Sequence, residues 1–153
     1  MLEKYKSDQS PQINRIYTKN ISFESPKAPQ IFQEPWNPQV TLNLGTSSNH
    51  LIEKMYEVIL RVTVITNLAK SIVFLCEVEQ AGIFSIEETE ENKIAHSLGS
   101  RCPDLLFPYA RECIANLIWH STFPPLHLEP VNFDALFIRY LQKSKQTEHT
   151  PDT

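Results

Sequence analysis

From Ile13 onward, apolar and polar residues alternate. Ile13, Tyr17, Ile21 and Phe23 fall on one side of an extended chain, with Thr18, Asn20, Ser22 and Glu24 on the other. A period of two predicts a half-buried strand. The alternation returns in VTLNL, where Val40, Leu42 and Leu44 share a face, and GTSSN (45–49) then reads as a loop. MYEVILRVTVIT (55–66) is dense in β-branched residues, and IVFLCEVEQAGIFSI (72–86) follows it through NLAK. Together they predict an antiparallel hairpin. In its second arm Phe74, Cys76 and Val78 point one way, toward a core. Leu75, Glu77 and Glu79 point the other, which makes an acidic face with an exposed leucine.

The period then changes. Ser85 and Glu88 have the spacing of a capping box, followed by TEENKIAHSLG and a stop at Gly99. A second helix is expected from about Pro103 through LLFPYARECIANLIWH, with Pro108 either kinking it or marking its start. Leu106, Ala110, Cys113 and Leu117 line one stripe of it, and Phe107, Ile114 and Ile118 widen that stripe. Asn132 can cap a third helix, with Val131 and Leu136 placed as a staple and Phe133, Leu136, Phe137, Tyr140 and Leu141 on one face. Strands first and helices second predict an α+β domain with an antiparallel sheet over residues 12–142, flanked by loose tails at 1–11 and 143–153.

Composition narrows the chemistry. Only three of 153 residues are glycine, so no glycine-rich loop is present to cradle a phosphate. The net charge of −4, without a basic run, argues against nucleic acid and anionic membranes as partners. No segment has the apolar core of a signal peptide or the length of a transmembrane span. Three cysteines without a CxxC suit reduced thiols in a cytosol. Cys113 and His120 on one helix are about 10.5 Å apart along the axis, too far to share a zinc ion. Cys102 and His96 add no ligand set, and Cys76 on a buried strand face is no nucleophile. The EETEE run (87–91) reads as carboxylates complementing a helix dipole. Leu75, on one face with Glu77 and Glu79, is either a docking point or one of the single exposed leucines common on protein surfaces.

The proline-rich connectors carry the clearest functional signal. Seven of eleven prolines fall in 26–38 and 124–130. These stretches cannot form helices or central strands. Yet they or their flanks hold Phe23, Ile31, Phe32, Trp36, Phe123, Leu126 and Leu128. A groove walled by such residues would bind extended apolar chain with little sequence preference.

RIYTKNISFESPKAPQIFQ, YEVILRVTV, FLCEVEQAGIFSI, CPDLLFPYAREC and PVNFDALFIRYL, in that order, resemble the SecB family of bacterial export chaperones. The resemblance implies a four-stranded antiparallel sheet packed by a long helix, with a second, C-terminal helix. It implies a cytoplasmic homotetramer, a dimer of dimers, with Leu106, Ala110, Cys113, Ile114 and Leu117 in the oligomer interface. Such chaperones hold newly made preproteins unfolded and deliver them to SecA, with no catalytic residues, metal or other cofactor. The family's SecA-docking positions fall on Asn20, Glu24, Leu75 and Glu77, with Asn20 standing where aspartate is common. The implied client groove comprises Phe23, Phe32, Trp36, Val40, Leu42, Leu44, Phe123, Leu126, Phe137, Tyr140 and Leu141. Two other readings stay open: a SecB-like chaperone of a toxin–antitoxin system, and an oligomeric interaction protein whose apolar loops are only an interface.

Overall fold

The computed structural model describes residues 4–5 and 9–148, the side chains of 146–148 excepted. The rest of the two expected tails lies outside the described residues. Four strands, β1 (Gln12–Glu24), β2 (Gln39–Ile52), β3 (Met55–Leu68) and β4 (Ser71–Ser85), form one antiparallel sheet in the order β1-β4-β3-β2. Two-residue turns join β2 to β3 and β3 to β4, with Glu53 and Ala69 each at positive φ. The segment between β1 and β2 must therefore cross from one sheet edge to the other.

The β3–β4 hairpin forms as its β-branched content predicts. Val58, Leu60, Val62 and Val64 on β3 pair with Gly82, Gln80, Val78 and Cys76 on β4. This buried row is the sheet's inner face. Two expectations for the edge strands fail. GTSSN is not a loop, because β2 continues unbroken through Asn49 against Glu57. Its serines and threonine are polar because the strand lies at an exposed edge, and Gly45 lies beneath the Arg61 side chain. In β1, register shifts fall between Ile13 and Arg15 and between Thr18 and Asn20. Each bulge reverses the side-chain alternation. Ile16 thus pairs with Gly82 on the inner face, while Tyr17 pairs with Ala81 and points outward, away from Ile13, Ile21 and Phe23. There the Tyr17 hydroxyl donates to Glu57, two strands away, which also holds Lys19 at 3.2 Å.

The inner face is covered by one 30-residue helical rod rather than two helices. Its segments are α1 (Glu91–His96), a π-helical stretch Ser97–Arg101, and α2 (Cys102–His120), with helical backbone at each junction. The capping box does not form; Glu90 is the N-cap and gives no side-chain hydrogen bond. Gly99 does not end the helix. Proline at 103 has no N–H for the carbonyl four residues back, at Gly99, and its ring crowds that carbonyl. Widening to a π turn just before it absorbs the mismatch and lets the rod continue. Pro108 sits inside α2 on its exposed side without ending it.

The last helix, α3, spans Phe133–Glu148, so it extends past residue 142 into the expected tail. Asn132 caps it as predicted, its Oδ1 accepting from the Ala135 N–H at 3.1 Å. Part of the N-terminal tail is also packed: the Tyr5 ring is buried edge-on against Phe137, and Arg101 holds the Gln9 carbonyl at 3.0 Å.

Candidate functional site

The two proline-rich connectors meet on a single ring. Phe123, only 5% exposed, follows the end of α2 and stacks against Phe32 at 5.2 Å and Trp36 at 6.0 Å, both from the crossover. Its other side rests on Phe74 of β4 at 5.3 Å, which in turn stacks on Phe23 of β1 at 5.5 Å. Such ring pairs contribute about 0.5–1.5 kcal/mol each beyond area burial. The crossover is anchored by buried Ile31, in a single 3-10 turn (Gln30–Gln33) between Pro29 and Pro35, so it holds one regular turn after all. This scaffold leaves Phe32 51% and Trp36 39% exposed. Large aromatic surface is held rigidly toward water rather than used to fill the core.

Chain continuity carries this surface into β2. Val40, Leu42 and Leu44 lie on the inner face opposite Thr66, Val64 and Val62. Val40 is exposed, and Leu42 and Leu44 pack against the core only in part. Leu126 of the second connector is likewise partly buried. Ten of the eleven expected groove residues are thus placed on an exposed or half-buried surface or in the ring cluster.

Phe137 is the exception. It is 5% exposed and sits among Tyr5, His96 at 5.5 Å and Gly99. A Cβ on Gly99 would come within 2.8 Å of the ring. Phe137 therefore anchors α3 to the π turn and is core, not groove. Beside it, the Asp134 carboxylate lies 2.7 Å from His96 Nε2 and accepts from the Ser100 hydroxyl at 2.5 Å. This seam was not anticipated. Its one sequence signal is the small, polar run HSLGS inside a helix. One turn further along α3, Tyr140 is 67% exposed and Leu141 half-buried.

The expected oligomer-interface residues need a similar correction. Leu106, Ala110 and Ile114 are fully buried against their own sheet, and only Cys113 and Leu117 are partly exposed. One sheet does cover that stripe. The large apolar side chains that α2 leaves well exposed are Tyr109 and Trp119.

On the sheet's outer face the remaining expected positions come together. Glu24 pairs with Leu75, Ser22 with Glu77 and Asn20 with Glu79 across β1 and β4. The Thr63 hydroxyl donates to Glu77 at 3.2 Å, and Leu75 is half-buried rather than exposed. The thiols offer no reactive group. Burial pushes Cys76 and Cys102 up to about 12 and raises Cys113 as well. Among the described residues, no cluster of His, Cys, Asp and Glu could hold a metal ion, and no helix is long and apolar enough to cross a membrane.

The two-layer α+β body thus presents aromatic surface to solvent and holds its thiols protonated. The family model described as preprotein translocase subunit SecB matches residues 4–144, and the chain belongs to that family. Its class is that of a chaperone, not an enzyme. The fold is shared with the Mycobacterium tuberculosis SecB-like chaperone, solved in complex with a ChAD peptide from the HigA1 antitoxin. That match has a TM-score of 0.67 at 20% identity, covering 80% of this chain and 91% of the other. A Streptococcus agalactiae protein of unknown function aligns over 79% of this chain and 94% of its own, at 9% identity and a TM-score of 0.35.

Proposed function

We propose that this protein is a cytosolic holdase that keeps newly made preproteins unfolded and hands them to SecA for export. The observation that carries the reading is the aromatic cluster, with Phe32 and Trp36 held exposed on buried Phe123. An unfolded chain supplies apolar side chains that a folded protein hides, and burying them contributes about 25 cal/mol per Å² before ordering costs. The client surface would be Phe23, Phe32, Trp36, Val40, Leu42, Leu44, Phe123, Leu126, Tyr140 and Leu141, without Phe137. SecA would dock on the opposite sheet face at Asn20, Glu24, Leu75 and Glu77. A tetramer is expected from the family, with Tyr109 and Trp119 rather than the buried stripe available to a partner copy. Light scattering should then give about four times the 17.7 kDa chain mass.

The deciding experiment uses a Trp119→Phe variant, in which Trp36 is the sole tryptophan. Reduced, carboxymethylated α-lactalbumin, which cannot fold, should shift its emission, while native α-lactalbumin should not. Equal responses to both, or to neither, would sink the holdase reading. One observation favours a second reading: the structural relative was solved with an antitoxin peptide. A toxin–antitoxin gene pair beside this one would support that role over general export.

A further inference from the structure

Helix α3 is fastened at its root. Residues 121–132, which lead into it, are irregular, and among its described side chains Phe133 and Phe137 alone are fully buried. The eleven residues after Phe137 run about 16 Å further along the axis and carry Tyr140 and Leu141. Phe133 meets Phe107, and Phe137 meets His96 and Gly99. Apolar contacts of this kind are non-directional, so they hold the root without fixing where the helix points. Direction comes from the Asp134 carboxylate. Its Oδ1 lies 2.7 Å from His96 Nε2 and accepts from the Ser100 hydroxyl at 2.5 Å. An ionised carboxylate can only accept, so the His96 proton sits on Nε2. Such charge-assisted bonds are short and directional. His96 and Ser100 are 4% and 3% exposed, so neither donor has water to turn to if the carboxylate swings away. A first-turn acid complements the helix dipole without any such partners, so these contacts do more than start the helix.

We propose that Asp134 is a positioning residue for client capture: by joining α3 to the rod through His96 and Ser100, it sets the direction of the helix and thereby the place of Tyr140 in the client surface. The proposal rests on the holdase reading and names what aims one wall of the site. Asp134 acts through Tyr140 rather than by touching the client. Tyr140 is 67% exposed, so its own packing does not hold it in place. It lies six residues beyond Asp134, about 9 Å along the axis. A swing of about 20° at the root therefore moves it by about 3 Å. Side chains count as touching only within roughly 4 Å, so a displacement of that size forfeits most of what the ring contributes.

A double-mutant cycle tests this in the Trp119→Phe protein, with carboxymethylated α-lactalbumin as the probe and Trp36 emission reading its Kd. The four proteins are the parent, Asp134→Ala, Tyr140→Ala and the two together. Tyr140→Ala should raise the Kd about tenfold and Asp134→Ala about fivefold. The double variant should bind no more weakly than Tyr140→Ala, because a misdirected helix has no Tyr140 contact left to lose. Independent residues this far apart would instead multiply their effects, as they would if Asp134 served stability alone. Asp134→Asn keeps an oxygen that accepts from both donors, so it should bring the Kd back to within about twofold of the parent. If Asp134→Ala shows no cooperative urea transition, Ser100→Ala, which removes one donor and leaves the carboxylate, takes its place in the cycle under the same criteria. Losses that multiply, or a clamp variant that binds as the parent does, would overturn the proposal and leave the holdase standing. A parent whose Trp36 does not respond to the probe would remove the holdase reading, and this proposal with it.

Discussion

Phe123→Ala removes the ring on which both connectors converge. Truncating a buried phenylalanine costs about 3–5 kcal/mol, depending on how far the site collapses. Here one side of the ring faces Phe74 in the core and cannot relax, whereas the other faces half-exposed Phe32 and Trp36, which can settle inward. The low end, about 3 kcal/mol, is therefore expected. With a urea slope of about 2 kcal/mol per molar, the midpoint should fall by about 1.5 M. The measurement is urea unfolding at one fixed protein concentration in the Trp119→Phe background, followed by Trp36 emission. Before unfolding begins, the native emission should already be red-shifted, because Trp36 has lost its stacking partner. Phe32→Ala is the comparison: that ring is half in water, so its loss should cost less than about 1.5 kcal/mol. If Phe123→Ala costs no more than Phe32→Ala and leaves native emission unchanged, the connectors are held by something else.

Gly99→Ala places a Cβ 2.8 Å from the Phe137 ring, so it should destabilise by about 1–3 kcal/mol although alanine favours helix. Thermal unfolding reads it. Leu75→Gln and Glu77→Lys should weaken SecA binding while sparing α-lactalbumin capture, and Asn20→Asp should strengthen docking most at low salt. Burial, and then the hydrogen bond to Glu57, push the Tyr17 phenol up to about 12, so the folded state holds this proton more tightly than the unfolded one. That stabilisation is intact below the ordinary tyrosine value of about 10 and is lost as pH rises through about 12. Ultraviolet titration should show one late tyrosine, absent in Tyr17→Phe. Cys76 and Cys102 should react slowly with a thiol reagent at pH 8 and quickly once urea unfolds the chain.

The features legible in the sequence were those set by neighbouring side chains. The β3–β4 hairpin, the Asn132 cap and the exposed aromatics of the crossover each depend on residues within a few positions, and each formed as read. The misses share a different cause. Bulges in β1 are imposed by pairing to β4, so Tyr17 cannot be placed by counting alternate residues along its own strand. Polar GTSSN imitates a loop because an exposed edge strand has no buried face to pattern it. Gly99 and Pro103 look like an end and a beginning until the π turn reconciles them. Phe137 appears to belong with Tyr140 and Leu141 on one helical face, but Gly99, far off in sequence, supplies the hollow that takes its ring.

The bulges of β1 also set which residues of the two proposed binding surfaces lie side by side on one thin sheet. Strand alternation sends Phe74 and Cys76 inward and Leu75 and Glu77 outward from the same stretch of β4. For β1 to complete both faces, Phe23 must lie inward and Asn20, Ser22 and Glu24 outward, beside Glu79, Glu77 and Leu75. A regular strand fixed by its pairing at Ile13 would keep that parity but lie two places out of register, setting Asn20 opposite Glu77 and Ser22 opposite Leu75. Two bulges restore the original parity after reversing it, and in the reversed interval Tyr17 turns outward to reach Glu57. The outer clasp at Tyr17 and the register of the proposed docking row at Asn20–Glu24 are therefore linked. Deleting Ser22, which pairs with Glu77 in the regular stretch after the second bulge, should shift the following residues by one place and bring Phe23 to the acidic face. Such a variant should lose SecA docking and expose Phe23, whereas deleting Lys19, the residue left unpaired at the second bulge, keeps Thr18 opposite Gln80 and Asn20 opposite Glu79 and should retain docking. Docking that survived the Ser22 deletion would show that the outer row does not depend on β1 register.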